Sequence, residues 1–240
     1  MKNKISSEYQ QFKADLRKIS PILLVISVLT VVLMNLFANK SIDTGMEYLR
    51  LDGGIIVSGV AFLIGDIIVK TYGAKTSVRM TIVSVIINLF VCIFFFIVAK
   101  IPGKWGEFYS NGELEIINVA LDNTLANNIF IMMGSMLAYI VASVVNAILN
   151  ELIGKHVKDN FFGFAYRSYI STMLAQFVDN MVFSLLVSTT LFGWTLVECL
   201  FCSLFGAFVE LLCEILLSPL GYYFSKRINQ EVKNESIGDR

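Results

Sequence analysis

Six runs of apolar residues follow one another along the chain, separated by shorter polar or glycine-containing segments. Each run is about 17 to 25 residues long, which is the length that a helix needs to cross the hydrocarbon core of a bilayer. The runs cover residues 21–38, 53–69, 78–99, 127–149, 169–192 and 195–217. Pro219-Leu220-Gly221 then predicts that the sixth helix ends at the membrane surface. The pattern predicts an all-α polytopic membrane protein with six transmembrane helices.

These runs divide the chain into three parts. Residues 1–20 form a basic, amphiphilic segment on the cytoplasmic side, residues 21–228 a six-helix membrane domain, and residues 229–240 a polar tail that we expect to be disordered. The first run is followed by Asn39-Lys40 rather than by the small residues of a cleavage site, so we expect it to be retained.

Composition supports the same class of protein. Hydrophobic residues make up 56% of the chain and charged residues only 16%, which is too little polar surface for a soluble domain. Nineteen basic residues balance nineteen acidic ones, so the overall charge does not indicate nucleic acid or an acidic polymer as a partner.

The positions of Lys and Arg predict the orientation, because positively charged loops are retained in the cytoplasm. With six helices, fifteen of the nineteen basic residues fall on one side. The other side keeps only Lys40, Arg50, Lys100 and Lys104. An odd number of helices would destroy this asymmetry, so we expect both termini to lie in the cytoplasm.

Motifs for metal, cofactor or nucleotide chemistry are missing from the sequence. The four cysteines fall inside predicted helices, where they behave as small apolar side chains, and His156 lies in a loop without other ligands. The chain has no P-loop, no His-Glu-x-x-His and no catalytic serine elbow. We therefore expect no cofactor and no metal, and we exclude ATP hydrolysis by this chain alone.

The longest loop, residues 100–125, falls on the predicted outer side and contains Trp105 and Tyr109. It is long enough to fold over an entrance. Its aromatic side chains could equally rest at the depth of the lipid headgroups.

Polar side chains within the spans must face protein or water, because a charge at the bilayer centre costs at least roughly 2.5 to 3.5 kcal/mol. In the fifth span, Thr172, Gln176, Asp179 and Phe183 share one helical face. Asp179 comes near mid-membrane. We expect this face to bind a ligand or to couple to protons, and a structural carboxylic acid hydrogen-bonded between helices is the alternative.

The sixth span carries Glu198, Glu210 and Glu214, and the last two are one helical turn apart. Two ionised carboxylates so placed would repel each other, so either one is protonated or a cation or a ligand donor lies between them. For Glu214 the alternative is a solvated position near the cytoplasmic interface. In the second span, Asp66 precedes Lys70 by one turn, which favours a surface ion pair.

Small and amide side chains also occur within the spans. Gly134, Ala138 and Ala142 follow one another at intervals of four in the fourth span and predict close helix packing. Asn146 in the same span and Asn35 in the first span either join helices by hydrogen bonds or contact a ligand.

A longer motif surrounds the fifth span. It reads Arg167-Ser168-Tyr169-Ile170-Ser171-Thr172 and continues to Gln176, Asp179 and Phe183. This motif resembles the Arg-Asn-x-x-Ser-Thr-x-x-x-Gln-x-x-Asp-Thr-x-x-Phe of the vitamin uptake transporter family, also described as queuosine precursor transporters. Supporting matches occur in the same order along nearly all six spans. They are Asn35-Leu36, Lys40, Asp52-Gly53, Asp66 with Tyr72-Gly73, Asn146, and Glu214 with Ser218-Pro219-Leu220.

The chain departs from the family pattern at three positions. Ser168 stands where Asn is usual, Asn180 where Thr is usual, and Val209 where a lysine is expected. Because a changed polar contact alters which edge of a base is recognised, these departures bear on the exact substrate more than on transport.

The resemblance implies a bacterial cytoplasmic-membrane importer of 7-deazapurines such as preQ0, preQ1, queuine or queuosine, which are salvaged for tRNA modification. Its partners would be this small-molecule substrate and the lipid bilayer, and no nucleic acid. The residues expected to bind substrate are Asp179, Gln176, Thr172, Glu210, Asn146, Asn35 and Phe183. Those expected to serve coupling or gating are Glu214, Glu198, Asp66 and Arg167.

Other interpretations stay open at the level of sequence. Transport could be coupled to protons at Asp179 or Glu210, or it could be facilitated and followed by metabolic trapping. The chain could instead be the substrate-binding subunit of an ATP-driven uptake system. It could also form a homodimer. An intramembrane enzyme that uses Asp179, Glu210 and Glu214 as acids and bases is a further alternative.

Overall fold

The computed structural model describes residues 2–42, 45, 51–105, 114–126 and 129–238. Nine α-helices occur in these ranges: α1 Lys2–Lys18, α2 Pro21–Phe37, α3 Ile55–Tyr72, α4 Ala74–Lys100, α5 Leu114–Ala126, α6 Ile129–Gly154, α7 Phe161–Phe183, α8 Thr189–Phe192 and α9 Leu196–Gly238. A π-helical turn, Ser184–Ser188, joins α7 to α8. Two short strands, β1 Ser41–Ile42 and β2 Leu51–Asp52, pair antiparallel.

Five of the described helical segments are long and apolar enough to cross a membrane. They are built on α3, α4, α6, α7 and α9. The 17-residue α2 passes the same test together with α1, from which it is bent by 101°. With α2 as the sixth span, the prediction of an all-α, multi-pass membrane protein is confirmed.

The segments predicted to be cytoplasmic meet at one end of the helix bundle, which we call the inner end. Lys70 of α3 forms an ion pair with Asp159, just before α7, at 2.9 Å. The backbone N–H of Ala74 donates to Glu151 Oε2 of α6 at 3.2 Å. The opposite end, which carries the β1–β2 hairpin and the start of α9, is the outer end.

The amphiphilic N-terminal segment folds as α1 and docks on α4. Arg79 of α4 forms ion pairs with Asp15 and, at 3.5 Å, with Glu8. The Arg79 guanidinium also lies 6.0 Å from the centre of the Phe12 ring. Because α1 is bent by 101° from α2, these contacts hold α1 roughly perpendicular to that span.

The predicted end of the sixth helix at Pro219 is wrong, because α9 continues to Gly238. Proline lacks the N–H that would bond the carbonyl four residues earlier, which belongs to Ile215. Ser218 Oγ donates to that same Ile215 carbonyl at 3.0 Å, so the acceptor stays satisfied. The tail that we expected to be disordered is accordingly helical from residue 229 to Gly238.

Two other boundaries differ from the prediction. The fifth span starts at Phe161 rather than at 169, because Asn160 caps the helix by accepting a hydrogen bond from Gly163 N–H at 2.8 Å. The outer loop contains α5, and Trp105 Nε1 donates to Asp122 Oδ1 of that helix at 2.8 Å. Residues 106–113, with Tyr109, and residues 127–128 lie outside the described part of the chain.

The centre of the bundle is α3, which packs against α2, α4, α6, α7 and α9. Phe62 of α3 and Tyr139 of α6 form an edge-to-face pair with ring centres 5.8 Å apart. Large apolar side chains such as Phe94, Phe201 and Leu216 face outward around the bundle, as a lipid-facing surface requires. Polar groups collect instead along the inside of α3, α7 and α9.

Candidate functional site

A cavity of about 390 Å³ lies between the outer halves of the helices. It extends from Asn39, Gly54 and Trp194 at the outer end down to Ser58, Asn180 and Glu210. The other described lining residues are Met34, Ala38, Leu51, Ile55, Ile131, Ser135, Ala138, Asp179, Phe183, Ser184, Ser188, Cys202 and Gly206. The spans α2, α3, α6, α7 and α9 all contribute, so the cavity is central to the bundle.

Glu210 forms the polar floor of this cavity. Its Oε1 accepts a hydrogen bond from Ser58 Oγ of α3 at 2.5 Å, and its Oε2 accepts one from Asn180 Nδ2 of α7 at 3.2 Å. The side chain is only 4% exposed. Hydrogen bonds to a buried carboxylate hold it in one orientation. We call Ser58, Asn180 and Glu210 the outer triad.

Asn180 can reach Glu210 because α9 has a glycine opposite it. A Cβ placed on Gly206 would lie 2.8 Å from Asn180 Nδ2, which is closer than atoms in ordinary contact. The absence of a side chain at Gly206 therefore lets the Asn180 amide lie directly against α9.

Two aromatic side chains, Phe183 and Trp194, line the same cavity as Asp179. Flat apolar rings next to a carboxylate suit a planar ligand that has hydrogen-bond donors on its edge. Tyr166, another aromatic residue of α7, is 58% exposed and is not among the described residues that line the cavity.

A second polar cluster lies closer to the inner end. Ser168 Oγ of α7 contacts both Asp66 Oδ2 of α3 and Glu214 Oε1 of α9. Asp66 also accepts hydrogen bonds from Asn146 Nδ2 of α6 at 2.7 Å and from Thr172 Oγ1 at 3.3 Å. None of these five side chains is more than 3% exposed. We call them the inner cluster.

Glu210 and Glu214 thus belong to different sites, although they are one turn apart on α9. The predicted ion pair of Asp66 with Lys70 is wrong, since Asp66 is buried in the inner cluster and Lys70 pairs with Asp159. The solvated position that we considered for Glu214 is also wrong, because this side chain is fully buried.

A family model described as "Putative vitamin uptake transporter" matches residues 52–224. The chain belongs to the vitamin uptake transporter family. The match covers the helices α3 to α8 and α9 as far as residue 224, and therefore the outer triad, the inner cluster and Asp179. No curated protein and no solved structure matches the chain. The geometry of the site must therefore be explained in terms of transport across a membrane.

In this vitamin uptake transporter, the predicted substrate-binding residues lie in four different places. Asp179, Glu210 and Phe183 line the cavity. Thr172 and Asn146 belong to the inner cluster. Gln176 is fully buried on α7 between the two sites. Asn35 is buried in α2, where its Nδ2 donates to the Val31 carbonyl at 2.9 Å.

The predicted coupling or gating residues are similarly divided. Asp66 and Glu214 form the core of the inner cluster, and Arg167 lies beside it, 5.6 Å from the centre of the Phe164 ring. Glu198 is instead at the exposed start of α9, where its carboxylate accepts hydrogen bonds from Thr195 N at 2.7 Å and Thr195 Oγ1 at 2.8 Å. This is a capping box, which stabilises the first turn of a helix.

Sequence reasoning did not assign a role to Ser58, Ser168 or Asn180. A serine in an apolar helix is common and usually bonds its own backbone, so Ser58 gave no signal. Ser168 and Asn180 were marked as departures from the family motif, and these two residues contact the carboxylates of the inner cluster and the outer triad.

Proposed function

We propose that this vitamin uptake transporter imports queuosine precursors, that is, 7-deazapurine bases or nucleosides. The observation that carries the proposal is a central cavity that is lined by two carboxylates, Asp179 and Glu210, and by two aromatic rings. The cavity volume of 390 Å³ falls within the roughly 300–1,000 Å³ of sites that hold small organic ligands. The resemblance of the α7 motif to queuosine precursor transporters supports the same substrate class.

The chemistry of a 7-deazaguanine fits these groups. Its N1–H and exocyclic amine form a pair of adjacent donors, which a carboxylate accepts with both oxygens. Asn180 supplies an amide, and Ser135, Ser184 and Ser188 supply hydroxyls for the acceptors of the base. Phe183 or Trp194 stacks on the ring. An aminomethyl group on the base would add a cation for the second carboxylate.

The position of the cavity supports import by alternating exposure. The cavity reaches the outer end at Asn39, Gly54 and Trp194, whereas towards the inner end the side chains of the inner cluster are buried. Substrate would enter from outside, and a rearrangement of the helices would then open a path to the cytoplasm.

The proposal is tested by uptake of labelled queuine in bacterial cells that lack their own importer. We expect uptake with the unaltered chain, and at least a tenfold loss with Asp179→Asn or Glu210→Gln, because each amide presents a donor where the base also presents donors. Glu8→Gln is the matched control, since Glu8 lies on α1 outside the cavity. Unimpaired uptake by both cavity variants would remove these carboxylates from substrate binding.

A second experiment separates autonomous transport from an ATP-driven system. The purified chain, reconstituted alone in liposomes without ATP, is expected to move queuine across the bilayer. If it binds queuine but never transports it, the chain acts as the binding subunit of a larger assembly. Chemically altered queuine inside the liposomes would instead indicate an intramembrane enzyme.

A further inference from the structure

We infer that the buried carboxylate pair of Asp66 and Glu214, joined by Ser168, carries the proton that drives import. This inference rests on the proposed function, because it takes queuine import as the process that is driven. It assigns coupling and substrate binding to two separate sites on the same three helices, α3, α7 and α9.

The contacts of Ser168 require a shared proton. A serine hydroxyl has one hydrogen and can donate it to only one acceptor. Ser168 Oγ nevertheless contacts Asp66 Oδ2 and Glu214 Oε1, so only one of these contacts can have serine as the donor. The other contact is a hydrogen bond only if that carboxyl group is protonated and donates to the serine oxygen. The pair therefore holds one proton in the conformation that the structure describes.

The charges around the pair balance when one proton is present. Arg167 of α7 is the cation that interacts electrostatically with Asp66. α6 presents the neutral Asn146, and Glu210 lies one turn outward on α9. Other nearby charged groups are directed elsewhere, with Lys70 paired to Asp159, Arg79 to Asp15, and Glu151 to Lys155. Loss of the proton would leave one uncompensated negative charge buried in the bundle, which is energetically unfavourable, so the pair keeps its proton while the inner end is closed.

An independent observation indicates a path between this pair and the cavity. Gln176 is fully buried, and neither its Oε1 nor its Nε2 has a hydrogen-bond partner within the described residues. It lies on α7 one turn from Thr172, which bonds Asp66, and one turn from Asn180, which bonds Glu210. Its amide is thus held between the two sites.

Two further buried oxygens at the inner cluster itself, Glu214 Oε2 and Asn146 Oδ1, also have no partner in the described part of the chain. Buried polar atoms of this kind are usually satisfied by water or by a ligand. Water between Gln176 and Glu214 would complete a hydrogen-bonded path.

The transfer is a simple protonation in each direction. A hydronium ion from the outer solution gives its proton through the cavity and past Gln176 to a carboxylate oxygen of the pair, and the carboxylate becomes a carboxylic acid. After the rearrangement that opens the inner end, the acid returns the proton to cytoplasmic water. One proton then enters with each substrate molecule.

Liposomes that contain the purified chain test the inference, with the membrane potential clamped to zero and the outside one pH unit more acidic. With one proton per substrate, we expect queuine to accumulate inside up to about tenfold. A pH-sensitive dye inside the liposomes should report acidification during uptake. Glu214→Gln and Asp66→Asn should reach only equal concentrations on both sides, while they still exchange labelled for unlabelled queuine.

Glu198→Gln is the matched control, because it changes a carboxylate of the same helix that belongs to the capping box at the outer end. It should accumulate queuine as the unaltered chain does. Ser168→Ala keeps both carboxylates and should displace the pH at which uptake is half-maximal. Should the carboxylate variants fail to fold, the dye measurement on the unaltered chain tests for proton entry, and an unchanged pH dependence in Ser168→Ala would overturn the assignment of the proton to the pair.

The possible outcomes separate the two proposals. If the unaltered chain transports queuine but neither accumulates it with the pH gradient nor acidifies the interior, the inference is overturned. Accumulation driven by a sodium gradient alone would overturn it as well. If the unaltered chain moves no queuine under any gradient, the proposed function itself fails.

Discussion

The contact between Gly206 and Asn180 provides a sharp test of how the cavity floor is built. In Gly206→Ala, the new methyl group would lie 2.8 Å from Asn180 Nδ2, whereas ordinary contacts of a carbon atom are roughly 3.5–4.0 Å long. The amide must therefore move away from α9. Its hydrogen bond to Glu210 is already 3.2 Å long, so this movement breaks it.

The expected loss of stability in Gly206→Ala follows from the charge of the acceptor, the Glu210 carboxylate. A hydrogen bond to a charged group contributes about 1.5–3 kcal/mol. The buried Glu210 carboxylate should lose about this much stabilisation when the Asn180 amide no longer donates to it. We expect Gly206→Ala to lower the free energy of unfolding by this amount and to raise the KM for queuine by roughly 10- to 100-fold. Thermal unfolding in detergent and initial uptake rates measure the two effects.

A double-mutant cycle identifies the cause. In the Asn180→Ala background the methyl group has room, so Gly206→Ala should then change neither stability nor KM further. Gly103→Ala is the matched control, because a Cβ there meets no atom within 4 Å. Additive effects of Gly206→Ala and Asn180→Ala would refute the contact as the origin of the loss.

Two further predictions concern the scaffold. Thr195→Ala removes the hydroxyl of the capping box that accepts from Glu198 N–H at 3.3 Å, so we expect a loss of about 0.5–2 kcal/mol in the free energy of unfolding, measured by thermal unfolding. An unchanged unfolding temperature would show that this cap is dispensable. Arg79→Ala removes both ion pairs that hold α1 on α4, so trypsin should cleave faster at Lys13 and Arg17 while the rest of the bundle stays intact. Equal cleavage rates would mean that other contacts dock α1.

The spans could be predicted from sequence because a bilayer imposes a minimum length of apolar helix. The end of α9 could not, since it depended on whether Ser218 would satisfy the carbonyl that Pro219 leaves open. A proline is a helix stop only when nothing else compensates for its missing N–H.

The candidate site could be predicted from the sequence only in part, because it also depends on contacts between residues that are far apart in the sequence. Helical spacing correctly placed Asp179 and Phe183 beside one another on the cavity wall. The same spacing put Glu210 and Glu214 on one face of α9, but the two carboxylates belong to different sites because each contacts a serine from a different helix, Ser58 of α3 and Ser168 of α7. Contacts between distant spans carry no periodic signal, so they required the structure.

Two departures from the family motif can be related to contacts in the structure. In the motif that the chain resembles, position 168 is usually asparagine, whose amide has two hydrogens and could donate to two ionised carboxylates at once. Ser168 has one hydrogen, so its contacts with Asp66 and Glu214 require a proton on the pair. At position 180 the change is reversed, because an amide replaces the usual threonine hydroxyl and reaches Glu210. The chain thus has a hydroxyl between the two carboxylates of the inner cluster and an amide in contact with the carboxylate at the cavity floor.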